Sequence, residues 1–442
     1  MTKISRLTFP LIAAALLGGC SILGSRPSDE TPVIGERQSV LGAEVDIGID
    51  PTTAALPMAL PAARANANWE QSGGNAAKSM GHLALGDSLG QAWSRSIGRG
   101  GSSTARLTAT PVVADGRLFV IDTAGVVSAM DATSGAVQWR TNSAGENANR
   151  DALYGGGVAY GNGRVYATNG VGDVVALDPA NGGVVWRVQP AGTLRGAPTF
   201  DGTNLYVTSQ DNQLYALNIS DGSTRWSTSA SLEIAGVFGN AAPAAGRGTV
   251  VAGFSSGELN AYRYENGNPV WGDALSRTSI SRSVATLTDI DADPVIDGNQ
   301  VIAIGQGGRM VALDLLRGQR LWELSLAGTA TPYVAGEWVF VVTEAGQLLS
   351  IARNNGGVRW INSLPRYRNV EKKRGPIFYS GPVLAGGRLI LTSSEGMLIE
   401  VDPSDGSIRS QRDLGRPFSL QPVVAGSTLY LLDDNGVLTA HR

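Results

Sequence analysis

The amino-acid sequence predicts an all-β protein, an eight-bladed β-propeller of four-stranded antiparallel blades. Three observations carry this: a near-invariant repeat, four short strand-like runs in each repeat, and a last repeat whose missing strand stands near the other end of the chain. The repeat is plainest at its closing strand. A Gly precedes a Trp by four positions at Gly135/Trp139, Gly182/Trp186, Gly222/Trp226, Gly267/Trp271, Gly318/Trp322 and Gly356/Trp360, and Gly406 precedes Ser410 in the same way. Twenty-eight residues before each closing position stand Pro111, Val158, Pro198, Pro243, Pro294, Pro332 and Pro382. A period of roughly 40–50 residues marks a repeat architecture.

The first unit sets the pattern for the others. Pro111-Val-Val-Ala-Asp-Gly116, Arg117-Leu-Phe-Val-Ile-Asp122, Val126-Val-Ser-Ala-Met-Asp131 and Gly135-Ala-Val-Gln-Trp139 are short, apolar runs punctuated by Gly, Asp and Ser. Such runs read as strands joined by tight turns, and no stretch keeps a helical period over three turns. Four-stranded units repeated about an axis make a propeller. The eighth unit opens at Pro422, and no closing Trp follows before Arg442. The segment 90–97, with Trp93, is a strand without a unit of its own. Paired with strands in 422–441 it completes blade eight and leaves no open sheet edge. The recurring Gly suits a hairpin position with positive φ. The Trp offers a large flat surface to pack between blades.

Composition bounds the rest. The chain has 442 residues, 43% hydrophobic and 17% charged, with 58 Gly and a net charge of −3. That suits a turn-rich all-β protein with a large core. It shows no basic excess of the kind that marks nucleic-acid binders.

At the N-terminus, Lys3 and Arg6 precede an apolar run from Leu7 to Leu17, too short for an ordinary membrane span. Residues 1–19 read as a secretory signal. Leu17-Gly18-Gly19-Cys20 resembles the lipobox of bacterial lipoproteins, which implies acylation of Cys20, the one cysteine of the chain. Several acyl chains on one residue give stable anchoring. Ser21, rather than Asp, follows, which in that pattern favours the outer membrane. Residues 20–68, rich in Ala, Pro, Ser, Gly and Thr, read as a flexible tether. The propeller domain is expected over 69–442, with Trp69 lying over the ring as a lid.

Catalytic chemistry finds little support. The two histidines, His82 and His441, lack the spacing of a zinc site. Gly155-Gly156-Gly157 lies between strands and opens no helix, so a phosphate loop fails its context. No catalytic, metal-binding or cofactor-binding residue is assigned.

The links between blades remain, and they are unequal. Link 227–242 holds Leu232, Ile234, Val237 and Phe238 among few charges. An apolar loop of this kind suggests a docking surface, against the alternative that its side chains tuck beneath it. The next link carries Leu287-Thr-Asp289-Ile-Asp291-Ala-Asp293, either a solvated acidic run or a charged rim for a basic partner. Link 361–381 holds Arg366, Arg368, Lys372, Lys373 and Arg374, read first as a solvated basic loop.

Several segments resemble one family over essentially the whole chain. Asp211-Asn-Gln-Leu-Tyr-Ala-Leu-Asn218, Ser255-Ser-Gly-Glu-Leu-Asn-Ala261, Leu287-Thr-Asp-Ile-Asp-Ala-Asp-Pro294 and Gly308-Arg-Met-Val-Ala-Leu-Asp-Leu315 are similar to blades of the BamB family, propeller lipoproteins of the outer-membrane β-barrel assembly machinery. The resemblance implies a non-enzymatic scaffold, held at the periplasmic face of the outer membrane, that docks on the POTRA domains of BamA and assists insertion of β-barrel proteins. It places the docking loops at 232–240 and 287–293, with Leu232, Ile234, Val237, Phe238, Leu287, Asp289 and Asp291 as contact residues. Ala235-Gly-Val-Phe-Gly239 stands where the better-known family form has Leu-Ser-Leu-Arg-Gly, so Phe238 occupies the position of that Arg. The repeats also resemble those of quinoprotein dehydrogenases, which hold pyrroloquinoline quinone at the ring centre and typically carry adjacent cysteines there. A single Cys forbids that pair. A quinone-binding enzyme or sensor and a periplasmic ligand-binding propeller stay as alternatives.

Overall fold

Hairpin chemistry sets each blade. In the computed structural model, which describes residues 47–442 apart from 233–238, 240 and 277–286, the first blade consists of Val112–Ala114, Arg117–Ile121, Val126–Asp131 and Val137–Asn142, paired antiparallel in that order. Asp115 and Gly116 join the first two strands, both with positive φ, the two-residue turn that matches strand twist. Six more blades follow the same order, and the eighth is assembled from both ends of the chain. There Gln91–Ser96 pairs antiparallel with Val437–His441, followed by Thr428–Leu432 and Val423–Ala425. Flanking bonds between Gly90 and Arg442, and from the Ile97 amide to the Gly436 carbonyl, extend the closure over 90–97, as the sequence predicts.

The blades are locked to one another by a repeated contact. Gly182 has φ +73°, and a Cβ there would stand 2.6 Å from the Trp139 ring of the preceding blade. The Trp139 indole N–H donates to the Pro179 carbonyl, three residues before that Gly, at 2.9 Å. The same donation runs from Trp186 to Ile219, Trp226 to Tyr264, Trp271 to Leu315, Trp322 to Arg353 and Trp360 to Pro403. Each indole thus satisfies its polar atom while its ring covers a glycine that leaves room for it. Blade seven ends in Ser410, and the reason is topological. The facing strands of blade eight are the two chain ends, so no Gly hairpin exists for a Trp to cover. At the other side of the seam, Trp93 packs on Gly135, but the matching carbonyl, Ala132, accepts instead from Tyr430 and Arg442.

A strap closes one end of the ring. The chain between Asn66 and Gly86 reaches the first strand, or the turn after it, in every blade. Trp69 and Val113 exchange two backbone bonds at 2.7 and 2.8 Å, and Glu70 accepts from the Tyr160 amide. Gln71 bonds the Phe200 backbone in both directions. Ala76 and Ala77 accept from Ala245 and Ile296, Gly81 from the Tyr333 hydroxyl, and Leu83 pairs with Leu384 and Gly386. Asn66 completes the circuit at Val424 and Gly426. Trp69 is fully buried and lies over blade one, as expected.

The strap also corrects the expected tether. Residues 47–68 belong to the ordered unit, not to a flexible linker. Asp50 caps the short helix Pro51–Ala54 and its amide donates to Val358, while Thr53 is buried. Proline and alanine suggest a coil by composition, yet here an N-cap and backbone bonds to the ring order them. Residues 1–46, including the signal segment, Cys20 and the rest of the tether, lie outside the described residues.

Two substitutions test the lock. Trp139→Ala should cost about 3–5 kcal/mol, read as a lowered denaturation midpoint. Ser410→Trp should leave the midpoint unchanged, because blade eight presents no glycine to cover; a clear gain would contradict the topological account.

Candidate functional site

The segments that lead into the first strands converge on the central channel, at the end opposite the strap. They enclose a cavity of about 260 Å³ lined by Arg106, Thr110, Asp291, Asp293, Gln306 and Tyr379 among others, with Ser72 of the strap also contributing. The lining is polar. Asp293 binds two elements at once: its carboxylate accepts from the Ala242 amide at 2.7 Å and from Ser72 Oγ at 2.6 Å. Lys78 of the strap is wholly buried and donates to Thr199 Oγ1, and burial pulls its ammonium down to about 8 against the opposing pull of Asp293.

The acidic run is built inward. Asp289 is 0% exposed and Asp291 7%. Both face Arg195, itself 2% exposed, from the link before blade three. Arg195 Nη2 lies 3.1 Å from Asp291 Oδ1 and 3.9 Å from Asp289 Oδ1, and Gln306 donates to the other Asp291 oxygen. Burial, with Asp289 adding to it, raises the Asp291 carboxyl to about 6, while Arg195 and Arg106 pull the other way. The expectation of a charged rim at Asp289 and Asp291 is therefore corrected. The residues alternate Asp-Ile-Asp-Ala-Asp, and all five are buried, because the segment passes between the channel and blade five.

The expected docking residues separate into three groups. Leu232 and Leu287 are exposed, by 70% and 42%, and carry the apolar character of their links to the surface. Asp289 and Asp291 lie beneath. Ile234, Val237 and Phe238 fall outside the described residues. The basic link contains a two-stranded hairpin, Tyr367–Asn369 with Arg374–Pro376, in place of a plain loop, with Val370 and Phe378 exposed on it. Sequence reasoning missed Arg195. The available signal was a lone cation among small residues, Leu194-Arg195-Gly196-Ala197, directly before an opening proline.

Both histidines are structural. His82 bridges the Pro61 carbonyl and the Gly387 amide, and His441 is buried against Thr439, its imidazole pushed down to about 4 by burial. Among the described residues no group of three His, Cys, Asp or Glu side chains could hold a metal, and the one cysteine lies outside them.

These features define a propeller of the quinoprotein-repeat class, strapped across one end and polar at its centre. The family model described as outer membrane protein assembly factor BamB matches residues 75–141, 123–362 and 367–441, and the chain belongs to that family. Outer membrane protein assembly factor BamB of Vibrio cholerae is 31% identical, covering 78% of this chain and 86% of that protein. BamB of Yersinia pestis is 28% identical over 79% of this chain and 87% of its own length. The crystal structure of BamB from Moraxella catarrhalis superposes with a TM-score of 0.69 at 20% identity, covering 80% of this chain and all of that one. The quinohemoprotein alcohol dehydrogenase of Comamonas testosteroni reaches 0.65 at 14% identity, covering 85% and 80%, a likeness of fold alone.

The Asp291 carboxyl gives a pH signature. Its native pKa, about 6, lies above the 3.8 of the free side chain. The native state binds the extra proton between those values, so this contribution to stability is full below about pH 4 and is lost as pH rises through 6. Asp291→Asn should remove that slope, which is on the order of 1.4 kcal/mol for each step of one in pH, in denaturation midpoints taken from about pH 4 to 7.

Proposed function

We propose that the protein is a non-enzymatic scaffold of the outer-membrane protein assembly machinery. In this reading, acyl chains on Cys20 hold it at the periplasmic face of the outer membrane. It docks on the POTRA domains of the barrel-forming subunit BamA and assists insertion of β-barrel proteins. Family membership over nearly the whole ring carries the proposal, together with relatives named as outer membrane protein assembly factors. The geometry is consistent with holding rather than converting. The eight blades are closed, and the strap covers the inner strands at one end.

Docking falls to the apolar links on the channel end opposite the strap. Leu232 and Leu287 are large exposed side chains on neighbouring links, and apolar anchors dominate binding energy when a partner desolvates them. Their substitution to Asp removes the anchor without touching the buried core. Leu232→Asp with Leu287→Asp should weaken binding to purified POTRA domains by at least about tenfold, a cost of 1.4 kcal/mol or more, with an unchanged melting temperature. Wild-type affinity in that double variant would reject this surface.

A further inference from the structure

The two links assigned to docking are joined beneath the surface by one buried cation. Arg195 enters from a third link, before blade three. Its backbone is fixed by the Thr208 carbonyl, which accepts its amide, and by the Gly156 amide, which donates to its carbonyl. Its guanidinium lies against Asp291 and Asp289 of the 287–293 link. Gly239, at the end of the 232–240 link, is seated directly on this pair. A Cβ there would overlap the Asp291 carboxylate and the Arg195 guanidinium. Asp293 then binds the Ala242 amide, and the Gln306 amide donates to the Asp289 carbonyl.

The exposed leucines stand at the near ends of these tied segments. Leu232 follows Ser231, whose amide and hydroxyl both donate to Glu258. Leu287 precedes Thr288, which donates to the Ser255 carbonyl, and Ile290, whose amide bonds Phe254. Each leucine is thus held by blade four on one side, while the far portion of its link is held by the Arg195 cluster.

Resting on the docking reading above, we infer that Arg195 is a positioning residue: it holds Gly239 of one link against the 287–293 segment of the next, and partner binding depends on it although it is too buried to touch the partner. Both acids are reached from one nitrogen, Nη2, by a hydrogen bond to Asp291 and a longer ion pair to Asp289. An arginine presents this nitrogen at a fixed angle, while a lysine offers a point charge. Removing the cation takes the hydrogen-bonded counter-charge from the buried Asp291 carboxylate, and a segment carrying such a charge moves to hydrate it. The side chains facing Asp291 are Arg195, Asp289 and Gln306, with Arg106 and Glu344 acting at longer range.

The test uses the full-length protein and purified POTRA domains, with Arg195→Met, Arg195→Lys and Leu232→Asp compared with the parent. Affinity is measured at neutral pH, and amide hydrogen exchange is followed over 239–243 and 287–293. Arg195→Met should weaken binding by about tenfold or more, with faster exchange confined to those segments, and Arg195→Lys should lie between it and the parent. Leu232→Asp should lose binding with parental exchange. Should Arg195→Met fail to fold, Arg195→Lys carries the same comparison. Unchanged exchange in the Arg195 variants overturns the tie. Loosened links with parental affinity, while Leu232→Asp loses binding, overturn the positioning role and leave the docking surface standing. Parental affinity in Leu232→Asp as well overturns the docking surface, and the dependence on Arg195 with it.

Discussion

The structure depends on one contact made again and again, a tryptophan of one blade seated on a glycine of the next with its indole N–H on a nearby carbonyl. Each partner is needed for a separate reason. The ring supplies area to bury, the glycine supplies both the positive φ of the hairpin and the space for the ring, and the carbonyl satisfies the one polar atom that burial would strand. Because the contact is between neighbours, apolar packing is distributed around the ring in layers between blades, as in other repeat folds. The seam between blades seven and eight is the exception that explains the rule: where the chain ends replace a hairpin in blade eight, the facing position of blade seven is Ser410, not a tryptophan.

Closure then acts twice. The strand at Gln91–Ser96 seals the ring edge, and the strap between Asn66 and Gly86 bonds to all eight inner strands or their turns. With one end of the channel covered and the eighth blade completed by the Gln91–Ser96 strand, the surface with irregular shape is the opposite end, where the links differ in length and composition. Regular geometry holds this protein together, and the departures from regularity are where partner recognition is proposed.

Much of this was legible in the residues. Repeat, blade count, ring closure and the packing roles of Gly and Trp follow from spacing, because a propeller imposes the same local chemistry on every unit. The limits lie where composition and burial part company. Residues 47–68 have the composition of a coil, yet Asp50 and Asn66 anchor that stretch to distant blades, and a bond to a carbonyl hundreds of residues away leaves no local trace. Asp289 and Asp291 have the composition of a solvated rim, yet they are buried because Arg195, almost a hundred residues earlier, supplies their counter-charge.

By itself, then, the chain's period determined the fold, since glycine, tryptophan and strand spacing act between residues that every unit repeats. The tertiary structure decided which side chains of the irregular links meet solvent. It left Leu232 and Leu287 exposed and drew Asp289, Asp291 and Arg195 together inside. The physical reason is that a buried charge is tolerated only beside its partner. Which residue will be that partner is fixed by the closed ring, not by any neighbour along the chain.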